Sequence, residues 1–225
     1  MNHKKFWTLE DVNLFQVMCP HKVEDFGSGE EHFRYYQKGE TIYFTEDPSN
    51  TMYLIAKGKV RLLNYSEAGE EVVRAILGRG EMFGELAILG EEKRGEIAEA
   101  MDDDTVVCPV RTDQVYDLMK DNKEFTFKIY QWIGFRLKKM ERRIDNLIFK
   151  DVRGRLMDFI REQALEKGEK QGPEVRIRHH FTHQNIAHLI GTSRQTVTTT
   201  LNEMRAEGLI DFDRNRIVIK RLDEF

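Results

Sequence analysis

One stretch constrains the fold of this 225-residue chain more than any other: Phe181-Thr-His-Gln-Asn-Ile-Ala-His-Leu-Ile-Gly-Thr-Ser-Arg-Gln-Thr-Val-Thr-Thr-Thr-Leu-Asn-Glu-Met-Arg-Ala-Glu-Gly-Leu-Ile210. It reads as helix, tight turn, helix, strand. Ile186, Ala187 and Ile190 share one face of the first helix. Gly191 supplies a left-handed turn that a side chain would resist. Ser193 is placed to cap the second helix. There Val197, Leu201 and Met204 recur at steps of four and three, so they share a buried face. The opposite face shows Arg194, Gln195, Thr198, Thr199 and Asn202, side chains that hydrogen-bond base edges and phosphates. Local charge agrees with contact to DNA. Between Val175 and Arg205 the basic residues are Arg176, Arg178, Arg194 and Arg205, against one acid, Glu203. His179, His180, His183 and His188 add partial charge in mild acid.

Upstream, from about Phe33 to Val110, short β-rich runs alternate with glycine or acidic turns. Thr41–Phe44, Met52–Ala56, Lys59–Tyr65, Glu71–Ala75 and Thr105–Val110 are the clearest runs, and Glu67–Glu70 is a hairpin turn. Such spacing predicts an antiparallel barrel or jelly roll. Thr8–Met18 predicts a short helix outside it. After Arg111 the period becomes helical. Thr112–Asn122 would turn Val115, Leu118 and Met119 inward. From Lys123 to Phe149, Ile129, Ile133, Leu137, Met140, Ile144, Leu147 and Ile148 recur at steps of three and four. A helix of about 25 residues runs about 38 Å, too long for one small barrel to cover. Its seam resembles half of a two-stranded coiled coil, with Ile133, Leu137, Met140, Ile144 and Leu147 as dimer contacts. The alternative is packing against its own domain. Asp151 ends this helix at a hinge, Phe149–Asp151, and caps a helix over Val152–Lys167. Gly168–Pro173 reads as a polar loop and Glu174–Arg178 as a strand. Leu209–Phe212 and Ile217–Lys220 flank a hairpin whose tip carries Arg214 and Arg216, a basic wing within reach of phosphates.

Composition bounds the function. The net charge is −4, with 40% hydrophobic and 33% charged residues. Residues 151–225 hold 13 basic and 12 acidic residues, so the acidity lies in the front of the chain and any DNA affinity depends on a local face. No apolar run matches a membrane span and no hydrophobic signal core opens the chain, so no membrane partner or export is expected. Two cysteines, Cys19 and Cys108, fit a cytoplasmic protein and are too few for an iron–sulfur cluster. Haem ligation by Cys19, His21 or His32 is a weaker reading than a surface loop. A metal site is not expected from the histidine group around residue 180. An enzyme is not expected either: residues 1–150 hold only His3, His21 and His32, without the paired histidines of a metal barrel, and no nucleophile elbow or Walker loop appears.

The β-rich front, long middle helix and terminal winged helix–turn–helix resemble the Crp/Fnr family of bacterial transcription regulators from about residue 33 to 220. Two motifs carry the resemblance. Gly191-Thr-Ser-Arg-Gln-Thr-Val197 is similar to the family's entry to the recognition helix. Gly80-Glu-Met-Phe-Gly-Glu-Leu-Ala-Ile-Leu-Gly-Glu-Glu-Lys-Arg94 is similar to the phosphate cassette of cyclic-nucleotide domains. The fold class expected is α+β: an N-terminal antiparallel β jelly-roll barrel over 1–122 as sensor domain, a dimerisation helix over 123–150, and a winged helix–turn–helix domain over 151–225.

The resemblance implies an effector site at Gly84, Glu85, Leu86, Ala87 and Arg94. In such cassettes the carboxylate at Glu85 takes the ribose hydroxyl, and the arginine at Arg94 pairs with the cyclic phosphate through its planar fork. The alternative is that Glu85 and Arg94 pair with each other. Three departures bear on this. Gly95 and Glu96 stand where the family's binders carry a small residue and then Ala. Glu96 places a like charge beside the phosphate seat unless the strand turns it outward. Met140 and Glu141 align with the hydroxyl pair that reads adenine, and Met140 offers little to a base. The backbone of Gly95 remains available. A cyclic nucleotide is the cofactor implied; the residues equally allow another small effector, or a barrel that is only a structural or partner-contact module.

For DNA, Arg194 is placed for bidentate contact to guanine, and Gln195 for adenine or cytosine. Thr199 stands where many relatives have Arg, so a thymine methyl or a phosphate is its target. Arg178, Thr182, Ser193, Thr198, Arg214 and Arg216 complete the expected DNA-binding set. A homodimer on a palindromic site would set its two recognition helices ~34 Å apart, one turn of the duplex. An activator would also need a surface for RNA polymerase, for which Glu67, Glu70, Glu71, Asp102, Asp103 and Asp104 of the acidic front are candidates.

Overall fold

The computed structural model describes residues 33–178, 181–213 and 215–220. The expected helix Thr8–Met18, together with Cys19, His21, His32, His179, His180 and Arg214, lies outside them. The chain divides into two compact units at the Phe135–Arg136 bond, inside one continuous helix.

The first unit holds β1 (Arg34–Tyr36), β2 (Thr41–Tyr43), β3 (Thr51–Lys57), β4 (Val60–Tyr65), β5 (Glu71–Leu77), β6 (Met82–Phe83), β7 (Ile97–Ala100) and β8 (Thr105–Arg111). They form two four-stranded antiparallel sheets, ordered β1-β8-β3-β6 and β2-β7-β4-β5. Strand β3 shows why the sequence folds this way. Met52, Leu54 and Ala56 face one core with Val106, Cys108 and Val110; Tyr53 and Ile55 face a second core shared by both sheets. A strand buried on both faces reads as an unbroken apolar run, which is how Met52–Ala56 reads. The Glu67–Glu70 turn closes β4 onto β5, with Gly69 at φ 78° and the Ser66 N–H donating to the Glu70 carbonyl at 2.9 Å. Strands β1, β6 and β7, of three, two and four residues, are too short to show alternation and escape the sequence reading.

Two helices follow. In α1 (Thr112–Asp121) Val115 is fully buried. The 27-residue α2 (Lys123–Phe149) buries Phe125, Ile129 and Trp132 in the core with β3 and β8. None of the helices among the described residues is long and apolar enough to cross a membrane.

The second unit contains α3 (Val152–Lys167), β9 (Glu169–Gln171), β10 (Glu174–Arg178), α4 (His183–Ile190), α5 (Arg194–Ala206), β11 (Ile210–Phe212) and β12 (Arg216–Ile219). Asp151 caps α3, its Oδ1 accepting from the Gly154 N–H at 2.8 Å. The sheet runs β11-β12-β10-β9. Its core joins Leu156 and Ile160 of α3 to Val175, Ile177, Ile186, Val197, Leu201, Met204 and Ile219. The segment expected as a loop, Gly168–Pro173, instead contains β9, which pairs with β10 around Gly172 at φ 63°. All three β9 residues are exposed, so no apolar alternation announces the strand.

Candidate nucleic-acid interface and barrel site

The helix pair α4–α5 is fixed by three local devices. Thr182 caps α4, its Oγ1 accepting from the Asn185 N–H at 3.1 Å. Gly191 ends α4 at φ 68°, ψ 55°, and a Cβ there would stand 2.9 Å from Leu147 Cδ2. Ser193 caps α5, its Oγ accepting from the Thr196 N–H at 3.1 Å. With α5 so started, Val197, Thr200, Leu201 and Met204 are buried. Arg194, Gln195, Thr199 and Asn202 remain exposed.

Thr198 stands apart from that open face. It is half-buried, donates its hydroxyl to the Arg194 carbonyl at 2.9 Å, and lies 2.8 Å from His183 Nδ1. It is committed to the helix pair. Thr200, absent from the sequence reading, turns inward because its hydroxyl satisfies the Thr196 carbonyl at 2.9 Å. Burial, and then the positive charge of Arg194, hold His183 below the usual imidazole range. Arg178 is exposed, 4.0 Å from Glu169, and Arg216 is half-buried, 3.1 Å from Asp213. On the wing side, Arg205 stacks 3.7 Å over the Phe212 ring.

The hinge expected at Phe149–Asp151 is braced. Arg155 donates to three carbonyls: Nε to Ile190 at 2.8 Å, Nη1 to Lys150 at 2.8 Å and Nη2 to Gly191 at 3.2 Å. One guanidinium thus satisfies the ends of α2 and α4 together. Nothing in the sequence around Arg155 distinguishes it from a surface residue.

In the barrel, Gly84 adopts φ 72° and leads into a short 3₁₀ helix over Glu85–Leu89. Ala87 is buried and Leu86 is 42% exposed. Arg94 is 5% exposed. It donates to the carbonyls of Gly84 at 3.1 Å and Thr51 at 2.5 Å, and not to Glu85. A Cβ at Gly84 would stand 2.7 Å from Arg94 Nη1 and 3.1 Å from the Thr51 carbonyl, so this contact requires glycine. The guanidinium lies 4.4 Å from the centre of the Tyr43 ring. Tyr43, Tyr53 and Phe83 form a buried aromatic group, with Tyr53 and Phe83 stacked at 5.0 Å. Glu96 is not turned outward: the Tyr43 hydroxyl donates to it at 3.3 Å. Burial, and then Glu96, push that hydroxyl far above the usual phenol range. Arg94 Nε is buried without a partner among the described residues. Gly95 is exposed, its carbonyl accepting from Asn64 at 3.0 Å.

Comparison with known proteins matches both halves of this architecture. Residues 33–122 fit the model of the cyclic nucleotide-binding domain, and residues 154–225 that of the Crp-like helix-turn-helix domain. A curated relative, the cyclic AMP receptor protein of Thermus thermophilus, is 32% identical over 88% of this chain and 87% of its own. The chain belongs to the Crp/Fnr family of transcription regulators. The global nitrogen regulator of a Nostoc species is 28% identical over 83% of this chain and 84% of its own. Among solved structures, a CooA variant from Carboxydothermus hydrogenoformans superposes with a TM-score of 0.77 at 24% identity, over 97% of this chain and 96% of that one, which supports the fold.

In this Crp/Fnr chain the second half of α2 is largely open. Ile133 is half-buried against the first core, whereas Leu137, Met140, Ile144 and Leu147 are 56%, 57%, 55% and 54% exposed. Tyr130, 64% exposed, continues the series by one heptad step and escaped the sequence reading because it is neither aliphatic nor charged. Met140 and Glu141 belong to the second unit and Arg94 to the first.

Proposed function

We propose that this Crp/Fnr regulator works as a homodimer that reads a palindromic DNA site under the control of an anionic effector in the barrel. In this scheme residues 1–122 sense, 123–150 dimerise and 151–225 read. The observation that carries it is the face of α5: Arg194, Gln195 and Thr199 exposed over a buried apolar back, on a helix capped at Ser193. Arg194 pairs with guanine, Gln195 with adenine or cytosine, and Thr199 with a thymine methyl or phosphate. Arg178, Thr182, Ser193, Arg214 and Arg216 set register on phosphates.

Dimerisation is supported by Leu137, Met140, Ile144 and Leu147, apolar side chains at heptad steps that a second α2 would cover. The effector reading is supported by Arg94. A buried guanidinium nitrogen without a partner costs about 1–3 kcal/mol, and an oxyanion accepting from it would remove that cost. Glu96 opposes an anion, so the fit to a cyclic phosphate is partial. The Thermus relative's name makes cyclic AMP the first probe.

The test is selection of bound duplexes from a random library, with and without cyclic AMP and cyclic GMP, alongside light scattering of the purified protein. A two-fold symmetric consensus and a dimer are expected. A monomer that enriches no sequence would overturn the reading. A rise in melting temperature with one nucleotide would identify a live barrel; no shift with either removes cyclic nucleotides from the scheme.

A further inference from the structure

His183 opens α4 and is half-buried against α5. Its Nδ1 lies 2.8 Å from Thr198 Oγ1. Thr198 has one hydroxyl hydrogen, which the geometry gives to the Arg194 carbonyl at 2.9 Å. The oxygen therefore accepts from His183, and Nδ1 carries the proton of the neutral ring. Nε2 has no hydrogen-bond partner among the described residues.

The charges around the ring are unbalanced. From α5 it faces Arg194, which disfavours the imidazolium. From β11 it faces the Phe212 ring at 6.0 Å, and Arg205 of α5 stacks on that same ring. The nearby acids are engaged elsewhere: Asp211 with Arg205 at 3.2 Å, Asp213 with Arg216 at 3.1 Å. Its own helix offers no acid in its first turn. Among the described residues no carboxylate stabilises a charged His183. A phosphate brought against α4 and α5 would supply the missing negative charge.

We propose that His183 is a proton-linked phosphate contact: it takes a proton from solvent as the duplex binds and donates Nε2–H to the backbone, while Nδ1–H holds α5 through Thr198. The proposal rests on the DNA-reading face of α5 described above. Its sign is fixed. Arg194 and burial keep the ring neutral in the free protein, and the phosphate raises its pKa in the complex. Binding therefore takes up a proton, and affinity rises as pH falls from neutrality through the ordinary imidazole range. The contact is to backbone, so the effect does not depend on sequence.

The experiment is fluorescence titration of a random-sequence duplex spanning about three helical turns with the full-length protein at pH 5.5 and 7.5 and constant salt. His183→Asn keeps a donor for Thr198 and cannot ionise, whereas His183→Lys is charged at both pH values. The wild type is expected to bind about fivefold more tightly at the lower pH, the part of the tenfold limit set by a one-unit rise in pKa that falls between these two pH values. His183→Asn should lose most of that change and bind at pH 7.5 like the wild type. His183→Lys should bind tightly at both. If His183→Asn keeps the full pH response, the proton goes to another histidine and the proposal is wrong. If the wild type binds no duplex at either pH, the DNA-reading face itself is wrong.

Discussion

Two arginines define the two candidate sites, and they are held in opposite ways. Arg194 is exposed at the first position of α5. What prepares its site lies beneath it: the Ser193 cap, the buried Val197, Leu201 and Met204, and the left-handed turn at Gly191. Arg94 is buried, and its own groups are engaged by the carbonyls of Gly84 and Thr51 and by the face of Tyr43. A ligand reaching Arg194 displaces water. One reaching Arg94 must use what the chain's own backbone leaves over, the Nε edge. The first arrangement suits a partner that is always the same polymer. The second suits a switch, because a ligand there adds a bond to a group the barrel has already oriented and so favours that arrangement over others.

The largest effect should come from α2, which carries the exposed apolar series. Changing Leu137 and Ile144 together to Asp puts four charges into the seam of a dimer. Light scattering should give a monomer, and affinity for the selected duplex should fall toward the nonspecific level, about a thousandfold or more. If the double variant stays dimeric, α2 is not the contact, and the exposed series there serves another purpose.

Next comes Arg94→Met. It should destabilise the first unit by about 2 kcal/mol, since the carbonyls of Gly84 and Thr51 lose their donor, and it should abolish any effector-induced melting shift. Denaturant unfolding with hydrogen exchange separates the units: protection in β3 and β8 should fall while that in α3 and β10 is retained. A variant at least as stable as the wild type would show that the cost of burying an unpaired charge outweighs those two bonds, and the contrast between the arginines would then be one of solvation alone.

Arg194→Ala should do the reverse. It should cost about 1–3 kcal/mol in binding the selected site and relax preference at one base pair. Stability should stay within about 0.5 kcal/mol, as for exposed positions free of special contacts. An unchanged ratio of specific to random duplex binding would take base reading away from Arg194.

How much of this could be seen in the sequence differs between the sites for a physical reason. The helix pair depends on local rules, caps at Thr182 and Ser193, a glycine at 191 and a regular apolar period, and each rule leaves a mark within a few residues. Thr198 is less legible, because a threonine at that helical position is equally able to face out or to bond to the Arg194 carbonyl and to His183; only the packing of α4 decides. The barrel site depends on contacts across 43 and 10 residues, Arg94 to Thr51 and to Gly84. Glu96 could be assigned inward only once Tyr43 of the neighbouring β2 was seen to meet it. Arg155, joining Lys150, Ile190 and Gly191, leaves no periodic trace at all.

The smallest effect tests whether the open site is prepared by its own local devices. Ser193→Ala removes the side-chain acceptor for the Thr196 N–H, and the Ser193–Thr196 hydroxyl contact at 2.8 Å goes with it. The expected loss of stability is about 1 kcal/mol. A cap acts by fixing where the helix begins, so the first turn should fray and Arg194 and Gln195, the first two residues of α5, should lose their fixed direction. Affinity for the selected site should then fall more than affinity for random duplex. Ser193→Asp restores the acceptor but adds a negative charge, so it should recover stability and lose binding to both duplexes. If Ser193→Ala instead lowered both affinities equally, Ser193 would be a phosphate contact first and a cap second, and the direction of Arg194 would be set by the buried face of α5 alone.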